Sequence, residues 1–329
     1  MKKKAILATA IMLAALPAAA QDMDPNTQHY YAYPQPLPRA GEIVRVQAEP
    51  LTVYATPHTR QQGGMIASAT PDAYAYEPKK AVDDAPTRKN DLRTKTGIEL
   101  GAQFSTYHYQ EPDLNVKLDA LKYAINPILT ASLYGNWFVK ADGRFAMGSA
   151  DYEGSGTSKD NPDYISEIRA TTGYDFLFGG FALSPYVGLG YRYLYSDLRG
   201  FSSTGASGYR RGSHYLYLPV GINPRFRVGD TDQVTMSFEY DQLLTGRQFS
   251  QLSDIPGYPD LDNDQNAGFG LRGEVMYQWP RWSFGPFFNY WNINQSETVC
   301  ATGGVGTVCG VEPHNQSYEF GVQLRYRVF

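Results

Sequence analysis

Charged side chains recur at alternate positions of several segments in the C-terminal two thirds of the chain. If these segments are β-strands, alternate residues share one face and the charges would line one side of a sheet. Acidic and basic residues nearly balance there. This balance favours an ion-pair network that plugs a narrow barrel, rather than a pore lined by one sign of charge. The predicted network comprises Glu99, Lys140, Asp142, Arg144, Glu167, Arg169, Arg192, Arg225, Glu239, Asp241, Arg272, Glu274, Glu319 and Arg325.

The histidines are the residues best suited to general-base chemistry, which needs a water or nucleophile within hydrogen-bond reach. His108, His214 and His314 fall near the ends of predicted strands. No Asp-x-His motif accompanies them, and Ser317 lies three residues after His314, so the two would face opposite sides of a strand. We interpret them as solvated histidines and expect no enzymatic activity.

Two cysteines, Cys300 and Cys309, flank a glycine-rich segment. In an exported chain this spacing predicts a disulfide that closes a small loop, because too few further ligands lie nearby for a zinc site. Residues 260–266 alternate carboxylates like the start of a calcium loop but lack its glycine and closing glutamate. We therefore predict no metal and no cofactor.

The N-terminus predicts export from the cytoplasm. Three lysines at positions 2–4 precede the apolar residues 5–16 and a run of alanines, as in a secretory signal peptide over residues 1–20 with cleavage before Gln21. Residues 21–95 are rich in proline and tyrosine, without a sustained hydrophobic period. They predict a largely disordered periplasmic extension with one short strand near residues 42–48, able to reach a periplasmic protein or peptidoglycan.

Residues 96–329 change to a period-two alternation of apolar and polar residues, the pattern of strands with one buried and one solvated or lipid-facing side. The pattern predicts about ten antiparallel strands in an all-β, up-and-down transmembrane barrel. The ninth strand is aromatic on both faces, so its orientation is left open. The predicted strands cover residues 98–105, 126–133, 139–147, 167–176, 183–193, 216–226, 234–241, 269–279, 282–294 and 318–327.

The connections between these strands alternate between tight turns and longer polar loops, as periplasmic turns and extracellular loops do in outer-membrane barrels. A soluble β-sandwich would also bury one face of each strand but would not need this alternation. The tight turns lie near residues 135–136, 179–180, 229–230 and 280–281. The longer loops are predicted near residues 112–123, 154–163, 197–212, 245–265 and 296–313.

Aromatic residues near the strand ends favour a membrane barrel, since such residues form girdles at both interfaces. Trp137, Phe178, Trp279, Trp282 and Tyr326 are predicted for the periplasmic girdle, and Tyr193 and Tyr195 for the outer one.

The last twelve residues, Tyr318 to Phe329, resemble the terminal strand of bacterial outer-membrane β-barrel proteins, which ends in an aromatic residue. The resemblance implies a cell outer-membrane location in a Gram-negative bacterium, contact with outer-membrane lipid, and recognition of Tyr326 and Phe329 by the barrel assembly machinery. One departure concerns the register. Arg325 and Arg327 occupy the positions where that pattern places apolar residues on the face of the final Phe, so the apolar face is offset by one residue.

Two function classes fit these features. The first is a structural or interaction protein with surface loops and a periplasmic tail, and the second is a narrow, porin-like channel or transporter for small solutes. An omptin-like barrel protease or a lipid-modifying enzyme is disfavoured because no convergent catalytic constellation is evident. The net charge of −4 argues against a nucleic-acid partner.

Export is tested by mass spectrometry of the protein purified from the cell envelope. We expect the most N-terminal peptide to begin at Gln21, because a signal peptidase cleaves after small residues such as the preceding alanines. A chain that retains Met1 in the envelope would contradict the predicted signal peptide.

Overall fold

The computed structural model describes residues 91–329, most of which lie in β-strands. The predicted signal peptide, its cleavage site and the short strand near residues 42–48 lie outside this range. Two 3-10 turns, Pro112–Leu114 and Leu252–Asp254, interrupt the strands, and neither is long and apolar enough to cross a membrane. The strands are β1 Gly97–Glu111, β2 Val116–Ser132, β3 Trp137–Gly154, β4 Gly156–Tyr174, β5 Phe176–Leu177, β6 Phe181–Phe201, β7 Ser207–Val228, β8 Asp232–Gln251, β9 Leu261–Asp264, β10 Gly268–Gln278, β11 Trp282–Ile293, β12 Val299–Gly303, β13 Gly306–Gly310 and β14 Asn315–Arg327.

Ten of these strands close into an antiparallel barrel. Around the barrel the order is β1, β2, β3, β4, β6, β7, β8, β10, β11 and β14, and β14 pairs with β1 to complete the circle. The closing seam runs from the pair Glu99 and Arg327 to the pair Gln110 and Gln316. The prediction of a ten-stranded antiparallel barrel is therefore confirmed.

Alternation along each strand divides the side chains between the lumen and the outer surface. On β1, Ile98, Leu100 and Phe104 are exposed on the outer surface, whereas Ser105 is buried inside. On β11, whose orientation the sequence left open, Trp282, Phe284 and Pro286 face outward, and Phe287 and Trp291 are buried inside.

One end of the barrel, which we call the turn end, carries the short connections and both ends of the described chain. Gly135, Gly179 and Gly229 have φ angles of 74°, 74° and 66°, in the left-handed region that glycine adopts without steric cost. These residues therefore allow the tight turns that the sequence predicts between β2 and β3, near β5, and between β7 and β8.

At the opposite end, the loop end, the structure corrects the predicted long loops. Residues 112–115 separate β1 from β2, Ser155 alone separates β3 from β4, and residues 202–206 separate β6 from β7. Most residues assigned to the first three long loops instead continue the barrel strands. Only the last two connections are long, and each contains secondary structure of its own.

Beyond the apolar outer band, apolar and polar residues still alternate along the strands. There, however, the apolar residues face the lumen and the polar residues face outward. Toward the loop end of β2, the apolar Val116 and Leu118 are buried inside, whereas Lys117 and Asp119 lie on the outer side. Nearer the turn end of the same strand, outward positions are apolar and inward positions are mostly polar. The apolar band that suits lipid therefore covers only part of the strand length, and the remainder resembles a soluble barrel with an apolar core.

Aromatic side chains mark both edges of the apolar band. At the turn end, Trp282 packs against Tyr326 with ring centroids 4.7 Å apart, and Trp137 packs against Tyr174 at 5.3 Å. Toward the loop end, the outward rings that contact one another include Tyr164, Tyr193, Tyr195, Tyr290 and Tyr318.

The long connection before β14 contains the hairpin of β12 and β13, in which Cys300 and Cys309 face each other and form the predicted disulfide. The backbone N–H of Val305, near the hairpin tip, donates to the carbonyl of Gly257 at 3.0 Å. The hairpin is thus held against the connection between β8 and β9.

Membrane orientation is tested by single cysteines in intact cells. For the predicted orientation, Ser203→Cys and Lys159→Cys at the loop end should react with a membrane-impermeant maleimide, whereas Tyr134→Cys and Asp230→Cys at the turn end should not. Cys300 and Cys309 are disulfide-bonded and should give no background. Permeabilised cells provide the control, in which all four variants should react. Labelling of Asp230→Cys without permeabilisation would reverse the orientation.

Candidate functional site

The centre of the lumen holds a group of charged side chains that we call the central charge network: Asp142, Glu167, Arg169, Glu239, Asp241 and Arg272. Arg272 on β10 donates to Asp241 at 2.5 Å and to Glu167 at 2.8 Å, and lies 3.2 Å from Glu239. Glu167 belongs to β4, which three strands separate from β10 in the barrel order. Arg272 therefore crosses the lumen rather than pairing along the wall.

Arg169 links the same network from the other side. Its guanidinium donates to Asp142 on the neighbouring strand at 2.9 Å and to Glu239 on β8 at 2.5 Å. Two buried tyrosines complete the carboxylate contacts, because Tyr186 donates to Glu239 at 2.8 Å and Tyr217 donates to Glu167 at 2.6 Å. A charged group this far from bulk water requires such partners, so the network is built as one connected unit.

The other predicted lumen residues lie on the inner side of the wall, and most are paired. Arg225 donates to Asp175, and Lys140 reaches Asp142 only at 3.8 Å. Arg192 is the exception, since it forms no ion pair within residues 91–329 and its guanidinium lies 5.0 Å from the ring centre of Trp291. The remaining ion pairs are Arg144 with Glu319, Arg325 with Glu274, and Arg327 with Glu99.

Two charged clusters nearer the loop end were not predicted. Lys122 is fully buried and pairs with Asp163, which also accepts a hydrogen bond from Ser196. At the end of the barrel, Arg211 donates to Glu111 at 2.9 Å and also pairs with Glu312. Continuing the inward alternation of β1 and β2 toward the loop end would have identified Glu111 and Lys122.

The contact between Arg211 and Glu111 shows how narrow the barrel is at the loop end. Arg211 lies on β7 and Glu111 on β1, and four strands separate these two in either direction around the barrel. Two side chains from opposite walls therefore meet directly. Burial raises the pKa of the Glu312 carboxyl to about 7, and the neighbouring Glu111 acts in the same direction while Arg211 opposes it.

Between the central charge network and the contact of Arg211 with Glu111, apolar side chains fill the lumen. One buried cluster contains Tyr107, Tyr109, Leu118, Tyr152 and Ile165 together with small residues of β2 and β3. A second joins Tyr215 and Tyr217 of β7 to Trp291 of β11, which two strands separate from β7, with the rings of Tyr217 and Trp291 5.1 Å apart. The lumen is thus packed like a protein core over this length.

The three histidines considered in the sequence do not converge. His108 lies on the outer surface, where its Nδ1 is 2.6 Å from a carboxylate oxygen of Asp119. His214 contacts the hydroxyl of Tyr191 on the outer face, and His314 contacts the side chain of Asn292. Within residues 91–329, His108 is the only histidine with an ion pair to a carboxylate.

Residues 91–329 contain no group of three or more His, Cys, Asp and Glu side chains placed to hold a metal ion. In the acidic segment at 260–266, Asp262 instead pairs with Arg247, and Asn263 is buried and donates to the carbonyls of Glu297 and Gly310. The hydrogen bonds of Asn263 attach β9 to the final long connection.

Strand β14 carries the C-terminal pattern in the offset register. Tyr326 faces outward opposite Leu100 and Trp282, while β14 ends at Arg327. The backbone N–H of Val328 still donates to the carbonyl of Ile98, and Phe329 lies beyond the strand with its side chain largely exposed. The predicted role of Tyr326 and Phe329 in assembly remains a prediction.

Several solved structures are similar to this one at low sequence identity. The outer membrane protease OmpT of Escherichia coli superposes with a TM-score of 0.51 and 10% identity, covering 73% of this chain and all of that one. The translocator domain of the autotransporter NalP of Neisseria meningitidis has a TM-score of 0.35 and 13% identity, covering 71% and 89% of the two chains. The attachment invasion locus protein Ail of Yersinia pestis has a TM-score of 0.26 and 8% identity over 71% of this chain and all of that one.

No protein-family model and no curated protein sequence matches the chain. The structural likeness therefore concerns the fold alone. Together with the closed ten-stranded architecture, it shows that the chain has the fold of bacterial outer-membrane β-barrel proteins.

Replacing Arg272 by alanine tests whether the central charge network is sealed from water. The change leaves Glu167 and Asp241 without their counter-charge, while Glu239 keeps only Arg169. We therefore expect the free energy of unfolding in detergent micelles to fall by about 3–5 kcal/mol. Arg199→Ala removes an exposed pair with Asp197 and is the matched control, with an expected change much smaller than that of Arg272→Ala. Equal, small effects in both variants would indicate a water-filled lumen.

Proposed function

We propose that this outer-membrane barrel is a structural or interaction protein that displays its loop end outside the cell and its N-terminal extension in the periplasm. In this proposal the barrel neither conducts solutes nor catalyses a reaction. The observation that carries it is the sealed lumen, in which Arg211 and Glu111 meet from opposite walls at 2.9 Å above a packed apolar core.

The loop end favours an interaction role because its protruding parts are tied together. The disulfide hairpin is held on the connection between β8 and β9, and Arg210 donates to Asp254 at 2.7 Å across the base of that connection. The hydrogen bonds from Arg210 lower the pKa of the Asp254 carboxyl, so the pair of Arg210 and Asp254 stays charged at neutral pH. A surface with little conformational freedom loses less entropy when it binds a partner.

The arrangement of the turn end favours a second interaction, between the N-terminal extension and a partner on the periplasmic side. Residues 91–96 lie against this mouth, where Leu92 is buried and Thr94 is hydrogen-bonded to Asp175. The preceding extension therefore starts at a fixed position at the periplasmic mouth. A periplasmic protein or peptidoglycan remains the partner we propose for it, and recognition by the barrel assembly machinery is proposed for the C-terminal strand.

A narrow channel is the alternative that shares this fold. It would require the cluster of Tyr215, Tyr217 and Trp291 and the central charge network to move apart together, since both cross the lumen. An enzyme would require a nucleophile or water held beside a base. The pair of His108 and Asp119 lies partly exposed on the outer surface, and within residues 91–329 no nucleophile is hydrogen-bonded to it.

Planar-bilayer recording separates the sealed barrel from a channel. We expect no unitary conductance from the refolded full-length protein or from a variant that lacks residues 21–90, because side chains of the barrel itself close the lumen. Heat-modifiable gel mobility and protease resistance of the same proteoliposomes should confirm that folded barrel has inserted.

Stable openings in the full-length protein, with ion selectivity altered by Arg272→Ala, would overturn the proposal in favour of a channel. Openings that occur only after deletion of residues 21–90 would also contradict it, because the seal would then lie in the extension.

A further inference from the structure

A cavity of about 160 Å³ opens at the turn end of the lumen, and we call it the vestibule. Its wall includes residues of the segment that precedes β1, namely Asp91, Arg93, Thr94 and Lys95, together with inward side chains of the barrel. This segment is fixed there, because the backbone N–H of Thr94 donates to Asp175 at 2.6 Å and Arg225 donates to the Thr94 hydroxyl at 2.7 Å. The vestibule is therefore part of the folded barrel.

Basic groups outnumber acidic groups around the vestibule. The carboxylates are largely committed, since Glu99 pairs with Arg327, Glu274 with Arg325 and Asp91 with Arg93. The lining charged residues are the basic Arg93, Lys95, Lys140, Arg225, Arg281, Arg325 and Arg327 and the acidic Asp91, Glu99 and Glu274.

Two cations, Lys95 and Arg281, lack a carboxylate partner in the described part of the chain, and a third, Lys140, has only a long ion pair. Within residues 91–329 no carboxylate lies within ion-pair distance of Lys95 or Arg281, and Arg281 contacts only the hydroxyl of Tyr326 at 3.3 Å. Lys140 is 3.8 Å from Asp142, whose other oxygen accepts from Arg169 at 2.9 Å. The vestibule thus differs from the central charge network, where positive and negative groups compensate one another.

Donors without acceptors provide an independent observation at the same place. The Nε of Arg225 and the Nε of Arg325 are buried without a hydrogen-bond partner, as is the hydroxyl of Thr235, and all three residues line the vestibule. The side chain of Arg225 is more than nine-tenths buried. Because a buried donor without an acceptor is costly, these atoms require an acceptor that the described chain does not supply.

We propose that the vestibule binds a small oxyanion, a phosphate or carboxylate group carried by a soluble molecule on the periplasmic side. Lys95 and Arg281 supply the uncompensated positive charge, Lys140 adds a weakly paired charge, and the buried donors supply directed hydrogen bonds. Phe138, Trp279 and Trp282 also line the cavity and offer apolar surface for the carbon skeleton of an organic anion. Charge-assisted hydrogen bonds to phosphate and carboxylate oxygens are the strongest that such a wall can make.

The test is isothermal titration calorimetry of the refolded full-length protein in uncharged detergent, with inorganic phosphate and with succinate as probes. Ionic strength is held constant with sodium chloride, so that general screening does not change. We expect saturable binding of at least one probe. The double variant Lys95→Gln/Arg281→Gln should weaken it by about tenfold, since two charge-assisted contacts are lost.

The matched control is Lys117→Gln/Lys159→Gln, which removes the same charge from the loop end and should leave the affinity unchanged. Neither double variant breaks an ion pair of the described chain, so both should fold. No saturable binding by the wild-type protein, or equal weakening in the two double variants, would overturn the proposal. Neither result depends on conductance, so the sealed-barrel function is tested separately.

Discussion

Backbone hydrogen bonding in a medium without water is the constraint on which the rest of this structure depends. A strand edge exposed to hydrocarbon would leave a row of N–H and C=O groups without partners, so the sheet has to close. The seam between β1 and β14 removes both edges, and it holds the two ends of the described chain at the turn end. Closure with ten strands also fixes the circumference. It therefore limits how many side chains can occupy the lumen and how far apart the opposite walls can stand.

The narrow circumference explains why the inner charges behave as they do. Arginine is long enough to cross such a lumen, and its planar guanidinium can satisfy more than one carboxylate at once, as Arg272 and Arg169 do. A lysine in the same place offers a point charge on a flexible stem. The central charge network consequently ties non-adjacent strands together, which the hydrogen bonds of the wall cannot do. The same argument makes the loss of one member costly, because the remaining buried carboxylates lose their counter-charge.

Sequence reasoning identified the barrel, its strand count and the inward position of Glu99, Glu167 and Arg272, because alternation with an apolar outer face is a local property. It could not predict which charges pair, since Arg272 and Glu167 meet only after three intervening strands have closed around the lumen. It also began β2 too late, at residue 126 instead of Val116. At Val116 and Leu118 the alternation continues with the apolar residues inside, so a search for an apolar outer face lost the strand and assigned a loop. Glu111 was missed for the same reason, since Tyr107 and Tyr109 before it are buried inside. Lys122 was missed although Leu121 and Tyr123 beside it still face outward.

That inversion has a consequence for the kind of protein this barrel can be. Beyond the apolar band the outer side of the strands faces water, so polar residues lie outside and apolar residues are buried inside. The loop end therefore has the packing of a soluble protein core. The residues that stabilise the loop end of the wall are then the same residues that close the lumen. Opening the lumen would therefore destabilise the loop end. A conducting lumen would have to give up the apolar cluster that supports the exposed end. The proposed interaction role fits this arrangement, because the packed lumen supports a rigid loop end, which suits recognition better than transport.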